Sequence, residues 1–347
     1  MDIFLLFLQY ALLAVFVVFS AKKIADTVDQ LDKLTNIGGA MIGGVFLAAV
    51  TSLPELITSI SAAIIGEPGL AFGNVYGSNL FNMMVLGLVD LIFIRLTFMN
   101  RIKAMRKSNL FVLLLYVVVL MPLLMFYVLG NSWNYFEINI FKISFSLISA
   151  IVIVIYVFSI RMLSKEKPSE ERTTQIVDKN DPNVKKQVKV QIIRFLGWSV
   201  VLVASSILIT IVTSRIDHAL DIGSSLAGAL FLGAATSLPE FTALIQLVRL
   251  RNYDAACGNI IGSNVFNFTI ISAVDLVYNK ENIFAQITNP GSGLLSNITL
   301  LLVLGIFSTL VLMYSIARTK SINKFTYAFP SILLIGSYVA YLVLSFL

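Results

Sequence analysis

Cysteine and histidine are almost missing from this chain of 347 residues, where Cys257 and His218 stand alone. One thiol excludes an intramolecular disulfide and a cysteine-rich metal site, and one imidazole excludes a histidine-cluster metal centre. Charge is scarce as well: 13% of the residues are Asp, Glu, Lys or Arg, against roughly 25% in soluble domains. No zinc-protease HExxH, nucleophile-elbow G-x-S-x-G or phosphate-binding loop occurs. An intramembrane enzyme and ATP-driven pumping within this chain are therefore not expected, and no catalytic or cofactor-binding residue is assigned.

What replaces charge is apolar surface. The chain is 58% hydrophobic with a mean hydropathy of +0.89, so lipid must be its main solvent. A helix needs about 20 apolar residues to cross the hydrocarbon, and the chain has room for about ten. Apolar runs place them at about 3–20, 37–65, 69–94, 109–130, 136–161, 192–213, 222–249, 254–279, 292–316 and 325–347. Backbone polar groups in lipid must be satisfied within the segment, so these runs read as helices rather than barrel strands. The first run lacks a positive n-region and an A-x-A-like cleavage site, and reads as a retained span. The amphipathic AKKIADTVDQLDK after it is expected to extend that helix beyond the membrane. The expected fold is thus an all-α polytopic membrane protein of ten transmembrane helices.

The basic residues explain a pI near 9.3 without a nucleic-acid partner. Arg95, Arg101, Lys103, Arg106 and Lys107 follow the third run, and a Lys-rich polar stretch at 162–191 follows the fifth. Arg249 and Arg251 follow the seventh, and Arg318, Lys320 and Lys324 the ninth. With ten spans these all fall on one side, while the opposite connections hold little beyond Arg215 and Lys280. The positive-inside rule makes that side cytoplasmic and puts both termini outside, in what we expect to be a plasma membrane. Residues 162–191 read as a cytoplasmic linker between two halves, 1–161 and 192–347.

The halves repeat each other. IGGAMIGGVFLAAVTSLPE at 37–55 aligns with IGSSLAGALFLGAATSLPE at 222–240, and GNVYGSNLFN at 73–82 with GNIIGSNVFN at 258–267. Thr51 and Thr236, Ser78 and Ser263, and Asp90 and Asp275 are each 185 positions apart, so no gap intervenes. Five spans per half is odd, so the second half enters from the opposite side: two inverted five-helix repeats, as in many secondary transporters. Pro54 and Pro239 each remove a backbone donor and loosen their helices. Carbonyls just before them, including those of Ala48, Thr51, Gly233 and Thr236, can then turn toward a cavity. Thr51 and Glu55 share a helical face, as do Asn74, Ser78 and Asn82, and again Asn259, Ser263 and Asn267. Their hydroxyl, amide, carbonyl and carboxylate oxygens suit hard cations such as Na⁺, Ca²⁺ and Mg²⁺.

The paired TSLPE and GNxxGSNxFN blocks resemble the two alpha repeats of the Ca²⁺:cation antiporter superfamily, most closely its Na⁺/Ca²⁺ exchanger branch. The resemblance covers about 37–92 and 222–277. It implies a ten-helix exchanger working by alternating access, in which the first helix of each half slides past a core of motif helices. Its substrates would be Ca²⁺ and Na⁺, its surroundings the lipid bilayer, and a monomer is the expected state. Carried over, Glu55 and Glu240 would be the central ion ligands. Thr51, Ser52, Ser78, Asn82, Thr236, Ser237, Ser263 and Asn267 would complete neighbouring sites, with carbonyls near Ala48 and Gly233. In one place the sequence departs. Most Na⁺/Ca²⁺ exchangers carry an acid at the last position of the second GSNxFN-like block, where this chain has Asn267.

The nearest alternatives are a proton-driven Ca²⁺ exchanger and a Mg²⁺ or Mn²⁺ exchanger of the same fold. A cation channel is disfavoured because no repeated pore loop is visible. Gly38, Gly39, Gly43, Gly44, Gly223 and Gly228 are expected to serve close helix packing, and Asp90 and Asp275 to act as capping or interfacial groups. Ionisable groups at membrane depth, by contrast, cost several kcal/mol and mark functional paths, which singles out Glu55 and Glu240. The topology is directly testable. Cysteines introduced at 95–108 or 165–190 in a Cys257→Ser background should react with impermeant thiol reagents from the cytoplasmic side alone. Labelling of both from outside would reverse the orientation, and labelling from opposite sides would break the inverted repeat.

Overall fold

A computed structural model describes residues 3–35, 37–66, 68–92, 106–129, 137–140, 143–163, 181–220, 235–278, 283–284, 294–318 and 323–346. The first half holds α1 (Ile3–Leu34), α2 (Gly39–Thr51), α3 (Leu53–Ile65), α4 (Pro68–Ile92), α5 (Arg106–Leu129) and α6 (Leu147–Leu163). The second holds α7 (Pro182–Leu220), α8 (Leu238–Arg249), α9 (Tyr253–Val277), α10 (Leu294–Ala317) and α11 (Lys324–Phe346). Among the described residues, seven helices are long and apolar enough to cross a membrane, or eight if the bent pair α2–α3 is one span.

Most expected spans fall on helices within a few residues, and the amphipathic stretch after the first run does continue α1. The run at 136–161 does not form one helix. It opens with an antiparallel hairpin, Glu137–Ile140 (β1) against Ile143–Ser146 (β2), pairing Glu137 with Ser146 and Ile140 with Ile143. EINI and ISFS alternate apolar and polar residues with a period of two, and isoleucine favours strand backbone, so local pattern prevails over mean hydropathy here. Helix α7 also starts earlier than expected, at Pro182 within the stretch read as linker. Asp181 begins it as an N-cap: its carboxylate accepts from the Asn183 amide at 2.8 Å, and proline suits the first helical position. The expected seventh run, 222–249, is described only from residue 235.

Helices α4 and α9 are buried along most of their length and form the centre of the molecule. The long helices α1 and α7 lie beside each other in opposite senses. Leu6 clusters with Val212 and Ile216, whereas Phe19 meets Trp198 edge-on at 5.4 Å between centroids. The other face of α1 exposes Phe4, Leu12, Val15 and Phe16, an apolar surface of the kind lipid covers. At the end of α1, Asn252 donates to Asp29 at 3.1 Å and Asp32 at 3.0 Å, and Gln246 donates to Asp26, tying α1 to α8 and the start of α9.

Two kinds of contact hold α4 and α9 to their neighbours. Glycine allows backbone to touch backbone. A Cβ on Gly262 would lie 2.6 Å from the Gly44 Cα, one on Gly43 2.8 Å from the Ala255 Cα, and one on Gly258 2.8 Å from the Ala40 carbonyl oxygen. The expected packing role of the glycines thus holds for α2 against α9. Buried carboxylates supply the second contact. Asp90 on α4 accepts from Ser331 at 2.7 Å and Tyr327 at 3.3 Å on α11, while Asp275 on α9 accepts from the Ser146 amide at 2.7 Å and the Ser149 hydroxyl at 2.6 Å. Both aspartates are buried rather than interfacial, because hydroxyl and amide donors of packed elements replace water, and Asp275, by accepting the amide just before α6, does act as a cap. Ser146 and Ser331 are themselves 185 positions apart, so the repeat extends to these partners.

The glycine contacts predict a graded loss of stability. Gly262→Ala drives a methyl into the Gly44 backbone, which cannot turn aside as a side chain can, and should cost about 1–3 kcal/mol. Gly197→Ala, on an open face of α7, should keep or slightly raise the thermal midpoint in detergent, since alanine favours the helix interior. Equal midpoints for the two variants would contradict the close approach.

Candidate functional site

The two TSLPE blocks fold alike. Helix breaks fall at Ser52 (φ −91°, ψ 6°) and Ser237 (φ −91°, ψ 3°), equivalent positions with the same backbone. Pro54 and Pro239 therefore lie in the first turn of α3 and α8, where a missing N–H costs nothing. Loosening in mid-helix was expected; the structure shows outright restarts, with α2 and α3 bent by 42°. A π-helical turn at Ile42–Leu47 precedes the first break, a widening often found at functional sites. Each restart puts a glutamate, Glu55 or Glu240, in a helix first turn, where the unpaired amides favour negative charge.

The carboxylates are held crosswise. Ser52, in the first break, donates to Glu240 Oε1 at 3.2 Å. Ser237, in the second, lies 3.5 Å from Glu55 Oε1 and donates to Ser78 at 3.2 Å, and Ser78 in turn donates to Glu55 Oε1 at 3.4 Å. Thr51 donates toward the Ala48 carbonyl and the Asn259 Oδ1, both at 3.3 Å, and lies 3.4 Å from the Ser263 hydroxyl. Asn74 supports the first glutamate from behind, donating to its backbone carbonyl at 3.3 Å and to Ser59 at 3.1 Å. The second oxygens, Glu55 Oε2 and Glu240 Oε2, are buried without a hydrogen-bond partner, as are Asn82 Oδ1 and Asn267 Oδ1.

Of the expected site residues, Thr51, Ser52, Glu55, Ser78, Asn82, Thr236, Ser237, Glu240, Ser263 and Asn267 are all buried, with at most 2% exposure. Thr51, Ser52, Glu55, Ser78, Thr236, Ser237, Glu240 and Ser263 join the crosswise network, Thr236 through Glu55, whereas Asn82 and Asn267 bond to partners across α4 and α9. Ala48 is buried too, its carbonyl accepting from the Ser52 amide at 3.0 Å. Gly233 lies outside the described residues. Sequence reasoning missed Asn79 and Asn264. Asn82 donates to Asn264 Oδ1 at 2.9 Å, and Asn267 to Asn79 Oδ1 at 2.9 Å. Asn79 and Asn264 also donate to each other's backbone carbonyls, both at 3.3 Å. Their signal was an amide duplicated at position 185 apart in two apolar helices, one residue off the face that carries Ser78 and Asn82.

Among the described residues no three His, Cys, Asp or Glu side chains gather as a metal cluster. The donors are two carboxylates with neutral hydroxyl and amide oxygens, an all-oxygen set matched to hard cations. A site of this kind can hold such ions without nucleophile, general base or redox group.

Known proteins agree with this architecture. The family described as sodium/calcium exchanger protein matches residues 5–163 and 191–347. An uncharacterized membrane protein of Methanocaldococcus jannaschii is 28% identical over 68% of this chain and 70% of its own. The inner membrane protein YrbG of Escherichia coli is 25% identical over 74% of each. The solved structure of the sodium-calcium exchanger NCX_Mj superposes with a TM-score of 0.70 at 19% identity over 98% of both chains, a likeness of fold. With the family covering nearly the whole length and the apolar helices to match, this integral, multi-pass membrane protein belongs to the sodium/calcium exchanger family.

Proposed function

We propose that the chain is a secondary antiporter that exchanges Ca²⁺ for Na⁺ by alternating access, binding both between its two halves. The observation that carries this reading is the reciprocal placement of Glu55 and Glu240. Each comes from one repeat, Glu240 accepts from Ser52 and Glu55 lies 3.5 Å from Ser237, the serine of the other repeat's helix break in each case, and each keeps one buried oxygen without a protein partner, as do Asn82 and Asn267. Two carboxylates match the charge of one Ca²⁺ or of two Na⁺, so the ions can replace each other without leaving a net charge in low dielectric. In this reading Glu55 and Glu240 are the central ligands, and Thr51, Ser52, Ser78, Asn82, Thr236, Ser237, Ser263 and Asn267 flank them, with carbonyls near Ala48 and Gly233.

The reading includes ten spans arranged as inverted repeats, 1–161 and 192–347, joined by a cytoplasmic linker, in a plasma membrane with both termini outside. The opposite senses of α1 and α7 support the inversion, as do the equivalent pairs Asp90–Ser331 and Asp275–Ser146 and the matching breaks. Sliding of α1 and α7 past the α4–α9 centre would then expose the site to one side at a time.

Two measurements test it. Purified protein in proteoliposomes should take up ⁴⁵Ca²⁺ when an outward Na⁺ gradient is imposed, and should show no such uptake with K⁺ or H⁺ gradients. Uptake driven by H⁺ alone would replace Na⁺ as the driving ion, and competition by Mg²⁺ or Mn²⁺ at equal concentration would change the substrate. Glu55→Gln and Glu240→Gln each keep shape and remove one of two central charges. Each should fold, insert and elute as wild type by size exclusion, yet reduce Ca²⁺ flux to the empty-liposome background. Near-normal flux in either variant would sink the site.

A further inference from the structure

We infer that Asn79 and Asn264 are positioning residues of the cation site, acting through Asn267 and Asn82 respectively; this rests on the proposed ion-binding reading. All four side chains are buried, Asn79 and Asn264 completely, and they form one closed set of four hydrogen bonds between α4 and α9. The backbone fixes how each amide points. A carbonyl only accepts, so Asn79 must turn its Nδ2 to the Asn264 backbone oxygen, and Asn264 its Nδ2 to the Asn79 backbone oxygen. Their Oδ1 atoms then face the neighbouring asparagines, which must offer Nδ2. Asn82 and Asn267 are left with their Oδ1 atoms unpartnered, and a carbonyl oxygen is the end of an amide that a hard cation takes. Without this bracket, an asparagine side chain can rotate to present its N–H₂ to a cation, which repels it.

The pairing is crossed: Asn79 orients Asn267 and Asn264 orients Asn82. That gives a test which general weakening of the helix contact cannot mimic. Equilibrium ⁴⁵Ca²⁺ binding to purified protein is measured for Asn79→Ala, Asn267→Ala, Asn82→Ala and the doubles. Asn79→Ala should weaken Ca²⁺ binding about tenfold, the scale of outer partners of metal ligands. In the Asn267→Ala background it should weaken it no further, because the side chain it orients is gone. In the Asn82→Ala background it should cost its full factor again, since that pair is not bonded. Asn264→Ala should show the mirror pattern, coupled to Asn82→Ala and additive with Asn267→Ala. Should Asn79→Ala not fold, Asn79→Ser, which keeps a short hydroxyl in the helix contact, carries the same cycle. A purely structural role would lower the number of binding sites per protein and leave Kd unchanged. Additive losses in all pairs, or an unchanged Kd, overturn the inference alone. A wild-type protein that binds none of Ca²⁺, Na⁺, Mg²⁺ and Mn²⁺ overturns the proposed function and this inference with it.

Discussion

Two carboxylates buried side by side in a membrane protein are the constraint to which the surrounding structure answers. An isolated ionised carboxylate away from water is costly, and a second of the same sign nearby adds repulsion. The fold offsets this locally in three ways. Each glutamate sits in the first turn of a restarted helix, where unpaired amides carry partial positive charge. Each accepts a hydroxyl hydrogen bond, Glu240 from Ser52 in the opposite break and Glu55 from Ser78, which itself accepts from Ser237 in the opposite break. In the proposed function the remaining charge would be met by a cation, since Glu55 Oε2 and Glu240 Oε2 have no protein donor. The helix breaks are thus needed for the charges, and the prolines for the breaks.

The break at Ser52 bends α3 from α2 by 42°, and glycines hold α2 in place through packing. Gly44 lies against Gly258 and Gly262 on α9, and Gly43 against the Ala255 backbone, so closely that a Cβ on Gly43, Gly258 or Gly262 would overlap backbone. Backbone contact of this kind fixes depth and rotation together, which keeps Thr51 within reach of Asn259 and Ser263. The outer ends are fixed by different chemistry. Asp90 and Asp275 satisfy serine, tyrosine and backbone donors on α11 and on the β2–α6 corner, so α4 and α9 are gripped at the site and again near their last turns.

Much of this was legible in the sequence because it was written twice. The repeat of TSLPE and of GSNxFN located Glu55, Glu240 and their hydroxyl neighbours, and hydropathy located most helices to within a few residues. The hairpin at Glu137–Ser146 was hidden because a hydropathy average does not register a period of two. The start of α7 at Pro182 was hidden because a capped, polar helix has the composition of a linker. Asn79 and Asn264 were hidden for a geometric reason: four-residue spacing selects one face of α4 and α9, and these two amides lie on the adjacent face, toward the partner helix. For Asp90 and Asp275 the sequence suggests capping or interfacial groups but does not reveal that Ser331 and Ser146 wait opposite them.

The amide at Asn267, where the resemblance leads one to expect an acid in most Na⁺/Ca²⁺ exchangers, has a physical meaning in this network. An asparagine there gives a donor to Asn79 and keeps a neutral oxygen facing inward; an aspartate would set a carboxylate oxygen against Asn79 Oδ1, or turn Asn79 away from the Asn264 carbonyl. In the proposed site an amide here would leave two formal charges. One Ca²⁺ or two Na⁺ would balance them, whereas a third Na⁺ would leave a net positive charge in low dielectric. Amides do not titrate, so that balance would not change with pH at positions 82 and 267. In the proposed site, the amides at 82 and 267 would therefore join α4 to α9 and add no negative charge to balance a further cation.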